Sequence, residues 1–201
     1  MTKILYLKSS ILGEHSASNG LSQKFVDQYL ATHSGSELIE RDLGANPIPH
    51  LTGEALGGFG ADEADRSPAQ VEAANLSDQL IDELKSSDVI VLGLPMYNFG
   101  VPSALKAWID YVAVAGKTFR YTEMGAQGLV QGKKVYIFAT RGGKYVGTPA
   151  DTQTGFMNTF LNFIGITDIE YVYAEGLALG EDPKTEAVQS AEEQLEVLAA
   201  A

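Results

Sequence analysis

Val89-Ile90-Val91-Leu92-Gly93-Leu94, running straight into Pro95-Met96-Tyr97-Asn98-Phe99-Gly100-Val101-Pro102, decides the fold. The first six residues hold no polar side chain. A strand with one solvated face alternates apolar and polar residues; an unbroken apolar run marks a strand buried on both faces, as in a parallel sheet. The octet that follows crowds two aromatics, an amide and two prolines into one loop at that strand's carboxyl end.

Reading outward toward the N-terminus, Ser67-Pro68 opens a helix with Ser as cap and Pro in the first turn. Leu76, Leu80, Ile81 and Leu84 give it one apolar face. Residues 44–67 are rich in Gly, Pro, Asp and Glu with little periodicity, and read as a long loop. Leu38 to Leu43 is an alternating strand. Leu21, Phe25, Val26, Tyr29 and Leu30 fall at helical spacing, and Ile4 to Leu7 is a short apolar strand.

Toward the C-terminus, Pro102-Ser103-Ala104-Leu105 starts a helix that runs to about Val114. Residues 116–132 read as irregular. Lys134 to Ala139 is the fourth strand, and Gly155 to Ile164 is mostly helix, with Phe156, Phe160 and Phe163 on one side. Ile169 to Tyr173 is the fifth strand. Val188, Ala191, Leu195 and Leu198 stripe the last helix.

Five strands alternate with five helices, which implies a parallel sheet covered on both faces. The expected architecture is a single α/β domain over 1–201. It is a flavodoxin-like, doubly wound, five-stranded parallel sheet of order 2-1-3-4-5. In such sheets ligands sit beyond the carboxyl ends of the strands, near the point where strand order reverses. No repeat, low-complexity segment or linker interrupts the chain.

The 201 residues are 45% hydrophobic and 20% charged, enough for a full core, and none is cysteine. Disulfides, thiolate metal sites and a cysteine nucleophile are excluded. The net charge of −12 repels nucleic-acid backbones, so no nucleic-acid partner is expected. No stretch approaches the roughly 18 apolar residues that span a bilayer. The apolar run after Met1 is short and closes at Lys8, unlike a signal peptide. A soluble, cytoplasmic protein is expected.

Three loops then stand at the expected edge. Ser9-Ser10-Ile11-Leu12-Gly13-Glu14-His15-Ser16-Ala17-Ser18-Asn19 follows the first strand and leads into a helix. Free N–H groups at a helix start, joined by serine hydroxyls, suit a phosphate without adding net charge. The plainer alternative is N-capping, with Ser18 or Asn19 as cap. The loop is not G-x-x-x-x-G-K-[ST], and Gly57-Gly58-Phe59-Gly60 follows no strand and opens no helix. ATP chemistry and a tightly held dinucleotide are disfavoured; a mononucleotide is left.

The Pro95–Pro102 loop suits a flat heteroaromatic ring: aromatic and Met side chains pack on it, while Asn98 and backbone N–H groups meet its polar edge. The alternative is a buried turn. Thr140-Arg141-Gly142-Gly143 follows the fourth strand. Paired glycines admit a ligand close to the backbone; the alternative is an ordinary turn with a solvated arginine.

With these residues in view, the chain resembles the FMN-dependent NADH-azoreductase family, also described as NADH:quinone oxidoreductases. The resemblance lies in Lys8-Ser9-Ser10, Ala45-Asn46-Pro47-Ile48-Pro49, Pro95-Met96-Tyr97-Asn98-Phe99, Thr118-Phe119-Arg120-Tyr121-Thr122-Glu123, Gly132-Lys133-Lys134 and Arg141-Gly142-Gly143. Phe163-Ile164-Gly165-Ile166 and Ala174-Glu175-Gly176 extend it over nearly the whole chain.

The resemblance implies a homodimer with one FMN per subunit at the interface. It also implies NADH as hydride donor, and quinones or azo compounds reduced by a ping-pong mechanism. By matching position, Ser10, Ser16, Ala17 and Ser18 hold the FMN phosphate. Met96, Tyr97, Asn98 and Phe99 hold the isoalloxazine, and Thr140, Arg141, Gly142 and Gly143 complete the ring site. Phe99, Tyr121 and Phe163 wall the substrate, the last two matching aromatics that can come from the partner. Position 140 is usually Ser in the family; Thr140 keeps the hydroxyl.

Chemistry is then expected at FMN N5, with no catalytic side chain and no metal. His15, His33 and His50 share no ligand spacing. His33 and His50 read as solvated loop residues, and His15 as a bland member of the first loop. Acidic residues of the 54–67 loop disfavour the extra phosphate of NADPH. Two rivals share the fold: a flavodoxin-type electron carrier without NADH oxidase chemistry, and a non-catalytic mononucleotide-binding module.

Overall fold

The computed structural model describes residues 1–200. In chain order the elements are β1 (Lys3–Lys8), α1 (Ala17–Thr32), β2 (Glu37–Asp42), α2 (Gly53–Gly60), α3 (Pro68–Ser86) and β3 (Val89–Pro95). They continue as α4 (Ser103–Val112), β4 (Phe119–Thr122), β5 (Gly125–Gly128), β6 (Lys134–Arg141), α5 (Thr152–Ile164), β7 (Asp168–Glu175) and α6 (Glu181–Ala199). Five strands form one sheet in the order β2-β1-β3-β6-β7, and every pairing in it is parallel. The expected order of the five main strands is met, with the switch between β1 and β3.

The alternation of β1 and β3 shows why the sheet is covered twice. Ile4, Tyr6, Val89 and Val91 face a core built with α1 and α6. Leu5, Leu7, Ile90 and Leu92 face the other core, built with α3, α4 and α5. Gly93 lets α1 close down on β3: a Cβ there would meet Ser22 Oγ at 3.1 Å and Asn19 Oδ1 at 3.2 Å. No helix among the described residues is long and apolar enough to cross a membrane.

Two segments differ from expectation. Residues 44–67 are not one loop. They hold α2, capped by Thr52 through Ala55 N, and a single 3₁₀ turn over Glu63–Asp65. Its four glycines hid the helix, because glycine is a poor helix former. Packing overrides that: Phe59 is buried, with its ring edge on Tyr111 at 5.3 Å. Residues 116–132 are not irregular either. They hold the antiparallel hairpin β4–β5, whose strands of four residues are too short for a periodic signal. The helices number six, one more than expected.

The hairpin is seated on the end of α5. Val130 N donates to Ile164 O at 2.8 Å, and Gly165 closes the helix in the left-handed region at φ 105°. The cap expected at Ser67 is formed, and the structure adds Gln70, which completes it as a capping box.

Candidate active site

The first loop is built around buried hydroxyls. Ser9 Oγ donates to Gly93 O at 2.6 Å and ties the end of β1 to β3. Ser10, Ser16 and Ser18 are buried, while Ala17 is exposed and begins α1. The cap of α1 is Ser16, which accepts from Asn19 N at 3.2 Å, and not Ser18 or Asn19. A 3₁₀ turn over Gly13–His15 delays the helix start, and His15 lies exposed in it. Ser16 Oγ and Ser18 Oγ stand 3.0 Å apart. The N–H groups of Ala17 and Ser18, in the first turn, have no partner within the helix. Hydroxyls and free N–H groups thus converge where the helix dipole favours an anion.

The second loop is a tight, strained turn. Tyr97 N donates to Gly100 O at 3.2 Å and Gly100 N to Tyr97 O at 3.0 Å. Between them Asn98 and Phe99 both take positive φ, 49° and 62°, as in a type I′ turn. Such backbone costs non-glycine residues about 1–3 kcal/mol each and persists where the surroundings enforce it. The result presents Phe99, 53% exposed, with Tyr145 against its edge at 5.5 Å. Met96 N donates to Thr140 O at 3.0 Å, so this loop adjoins the third. Ser10 Oγ and Tyr97 Oη, 3.0 Å apart, join it to the first.

In the third loop, Thr140 and Arg141 are the last residues of β6, and the turn proper is Gly142-Gly143. Arg141 is not solvated. Its side chain is fully buried and pairs with Asp151 at 2.7 Å and Glu175 at 3.1 Å, with its guanidinium over the Tyr173 ring at 5.1 Å. Burial raises the Asp151 carboxyl, but hydrogen bonds from Arg141 and Thr154 outweigh it and hold the group below the ordinary value. Two carboxylates around one cation make Arg141 an internal anchor for the turn. The carbonyls of Arg141, Gly142 and Gly143 accept from Leu177, Ala178 and Gly176. The two glycine N–H groups donate to no group among the described residues. A Cβ on Gly143 would come within 2.6 Å of the Tyr145 ring.

Tyr121 and Phe163 are not brought to these loops. Phe163 lies at the far end of α5, about 16 Å along the helix from Thr152 at a rise of about 1.5 Å per residue. Its ring meets Phe119 of the hairpin at 4.3 Å, and Tyr121 is on the same hairpin, 74% exposed. Both stand at the opposite edge of the sheet from Phe99.

Sequence reasoning missed the start of α5. Thr152 Oγ1 donates to Phe99 O. Gln153 Nε2 donates to Pro95 O at 2.9 Å and Gly100 O at 3.0 Å. The signal was present: Asp151 reads as an N-cap and places Thr152 and Gln153 in the first turn. Glu175 was missed as a residue with a role of its own; it accepts from Tyr145 N at 2.8 Å and Val146 N at 3.0 Å. His33 is not a plain loop residue, since it caps α1 and stacks on Tyr29 at 3.9 Å. His50 is exposed and lines a cavity of about 520 Å³ beside Phe99 and Phe156.

Residues 2–198 match the sequence family described as having a flavodoxin-like fold. An FMN-dependent NADH:quinone oxidoreductase from Cronobacter sakazakii is 48% identical over 201 residues, all of both chains. One from Escherichia coli O139:H28 is 49% identical over 201 residues, again all of both chains. The chain belongs to the FMN-dependent NADH:quinone oxidoreductase family. Among solved structures, an azoreductase from Bacillus anthracis strain Sterne matches with a TM-score of 0.91 at 28% identity, over 100% of this chain and 99% of that one. An FMN-dependent NADH-azoreductase from Bacillus anthracis strain Ames Ancestor, in complex with FMN, has a TM-score of 0.90 at 24% identity. It covers 100% of this chain and 98% of that one, and shows likeness of fold.

The family's cofactor fits the site on the chain's own geometry. The buried hydroxyls at the start of α1 suit a phosphate, and the free Gly142 and Gly143 N–H groups face no internal competitor. The exposed face of Phe99 suits a flat ring.

Proposed function

We propose that the chain is an FMN-dependent oxidoreductase that takes hydride from NADH and reduces quinones and aromatic azo compounds. The observation that carries this reading is the Ser10–Tyr97 contact. It unites an uncharged anion cradle with an aromatic turn at one edge of the sheet, as a phosphate joined to a flat ring requires.

In this reading Ser10, Ser16, Ala17 and Ser18 hold the phosphate. Met96, Tyr97, Asn98 and Phe99 pack along the ring, with Thr140, Arg141, Gly142 and Gly143 completing its site. FMN, when bound, supplies the redox chemistry between NADH and acceptor. Within the 97–99 and 142–143 loops, the N–H groups of Asn98, Phe99, Gly142 and Gly143 donate to no group among the described residues and would be preorganised donors for negative charge at the ring edge. Nicotinamide and acceptor would share one space beside the bound ring, walled by Phe99, Tyr121 and Phe163, and so bind in turn, in a ping-pong order. Stacking tolerates many flat acceptors. Reducing an azo bond to two amines takes four electrons and four protons, hence two NADH.

The functional unit is a homodimer with FMN sites at the interface. The separation of Tyr121 and Phe163 from Phe99 supports this, because those aromatics reach a substrate only from a second copy. The enzyme acts in the cytoplasm. Acidic residues at Glu54, Asp62, Glu63 and Asp65 favour NADH over NADPH.

The test is the absorbance spectrum of the purified protein under anaerobic conditions. Flavin bands are expected to bleach within seconds on adding NADH, more slowly with NADPH, and to return with a benzoquinone. Bands that NADH leaves untouched would favour the electron carrier. A protein that stays colourless after FMN is added would overturn the site.

A further inference from the structure

We infer that Gln153, with Thr152, is a positioning residue for the ring half of the FMN site. The first turn of α5 holds the Asn98-Phe99 turn in shape and fixes its spacing from Gly142-Gly143. The inference rests on the FMN reading above.

Gln153 Nε2 donates to the carbonyls of Pro95 and Gly100, at 2.9 and 3.0 Å, which bracket the strained turn. Thr152 Oγ1 donates to the carbonyl of Phe99 within it. The same helical turn is preceded by Asp151, which caps α5 through Thr154 N at 3.1 Å and pairs with Arg141 at 2.7 Å. Three consecutive residues therefore fasten the end of β3 and the end of β6 to one rigid element.

Gln153 is a poor choice for stability alone. It is 1% exposed, and its Oε1 has no hydrogen-bond partner. A buried acceptor left unpaired destabilises a fold. Methionine would fill similar volume without that cost, but it cannot supply two donors. Two adjacent non-glycine residues at positive φ persist only where their surroundings over-determine them. Gln153 and Thr152 are those surroundings.

These bonds reach the ring loop and not the serine cradle, so their loss weakens ring binding and spares the phosphate grip. The experiment titrates the apoprotein with FMN and with riboflavin, which has the ring without the phosphate, following flavin fluorescence. Gln153→Met is expected to weaken both ligands by the same factor, about tenfold for two hydrogen bonds. Thr152→Val is expected to weaken both about threefold, for one. The ratio of FMN to riboflavin affinity then stays at the wild-type value; because partial unfolding would also weaken both ligands alike, a thermal melt of each apoprotein accompanies the titration and is expected to show it fully folded at the titration temperature. Unchanged FMN affinity in the variants overturns the inference, and so does a loss confined to FMN. Thr152 is exposed, so its variant gives the answer if Gln153→Met does not fold. A wild-type protein that binds neither flavin overturns the functional reading as well, and is recognised before any variant is compared.

Discussion

Tyr97 Oη lies 3.0 Å from Ser10 Oγ, joining loops 87 residues apart in the chain. The Ile11 N–H donates to the same phenol oxygen at 3.3 Å. The two loops follow adjacent strands, β1 and β3, so the contact sets how far a phosphate in one sits from a ring on the other. Tyr97→Phe keeps the ring and removes both bonds. FMN affinity is expected to fall about tenfold, since a net hydrogen bond contributes roughly 0.5–1.5 kcal/mol. The melting temperature is expected to change little, because Tyr97 is only half-buried. Fluorescence titration beside a thermal melt checks both; unchanged FMN affinity would reject the coupling.

Phe99 trades stability for exposure. Glycine is the preferred second residue of an Asn-Gly type I′ turn, and Asn98 already occupies the first place. Phe99→Gly relieves about 1–3 kcal/mol of backbone strain. It loses an edge contact with Tyr145 worth about 0.5–1.5 kcal/mol. The apoprotein is therefore expected to melt a few degrees higher, by roughly 1 kcal/mol, while quinone reduction falls. A variant that melts lower would show that the turn is not strained.

Asp151 is the titratable group on which the α5 start depends. Its carboxyl is held below the ordinary 3.8 chiefly by Arg141 and Thr154, against the opposing effect of burial. A depressed acid contributes stability that is fully present above the unfolded value and is lost as pH falls through the folded one. Asp151→Asn keeps the cap but leaves Arg141 with Glu175 alone, a loss of about 3 kcal/mol for a broken buried pair. Denaturant unfolding is expected to show that gap constant at pH 5–7 (roughly, from the carboxylate reference range) and closing below pH 3.8. A gap that persists unchanged into acid would exclude the ion pair as its source.

Much of this was legible in the sequence because it depends on local chemistry. The apolar run Val89–Leu94 marks a strand buried on both faces wherever it occurs, and the loop after it inherits a position at the sheet edge. Serines before a helix likewise announce a cap and a cluster of hydroxyls at its start, as Ser16 and Ser18 form. What escaped depends on contacts distant in sequence. Phe59 belongs to a core completed by Tyr111, and no window around residue 59 contains that partner. The burial of Arg141, for which a solvated turn residue is the plainer alternative, escaped because its two carboxylates, Asp151 and Glu175, come from later elements. Gln153 carries no motif; its meaning lies in the carbonyls of Pro95 and Gly100, more than fifty residues earlier.

Tyr121 supplies the sharpest test of the dimer. Its side chain is 74% exposed in the single chain, so Tyr121→Ala removes little from its own fold. It lies at the sheet edge opposite Phe99, and β6 between them spans about 23–26 Å at roughly 3.3 Å per residue. A site confined to one chain would not notice the change. A site completed by the partner would lose its aromatic wall, and KM for a flat quinone is expected to rise about tenfold, the loss of roughly 1.4 kcal/mol of stacking. Mixing decides between the two. Unfolding and refolding Tyr121→Ala with Phe99→Gly at equal amounts makes about half the dimers mixed in a two-fold assembly. Each mixed dimer then has one site with both aromatics intact and one with neither, so about a quarter of wild-type activity is expected to return. Recovery no greater than the average of the two parent variants would place both aromatics in one subunit's own site and reject the shared interface.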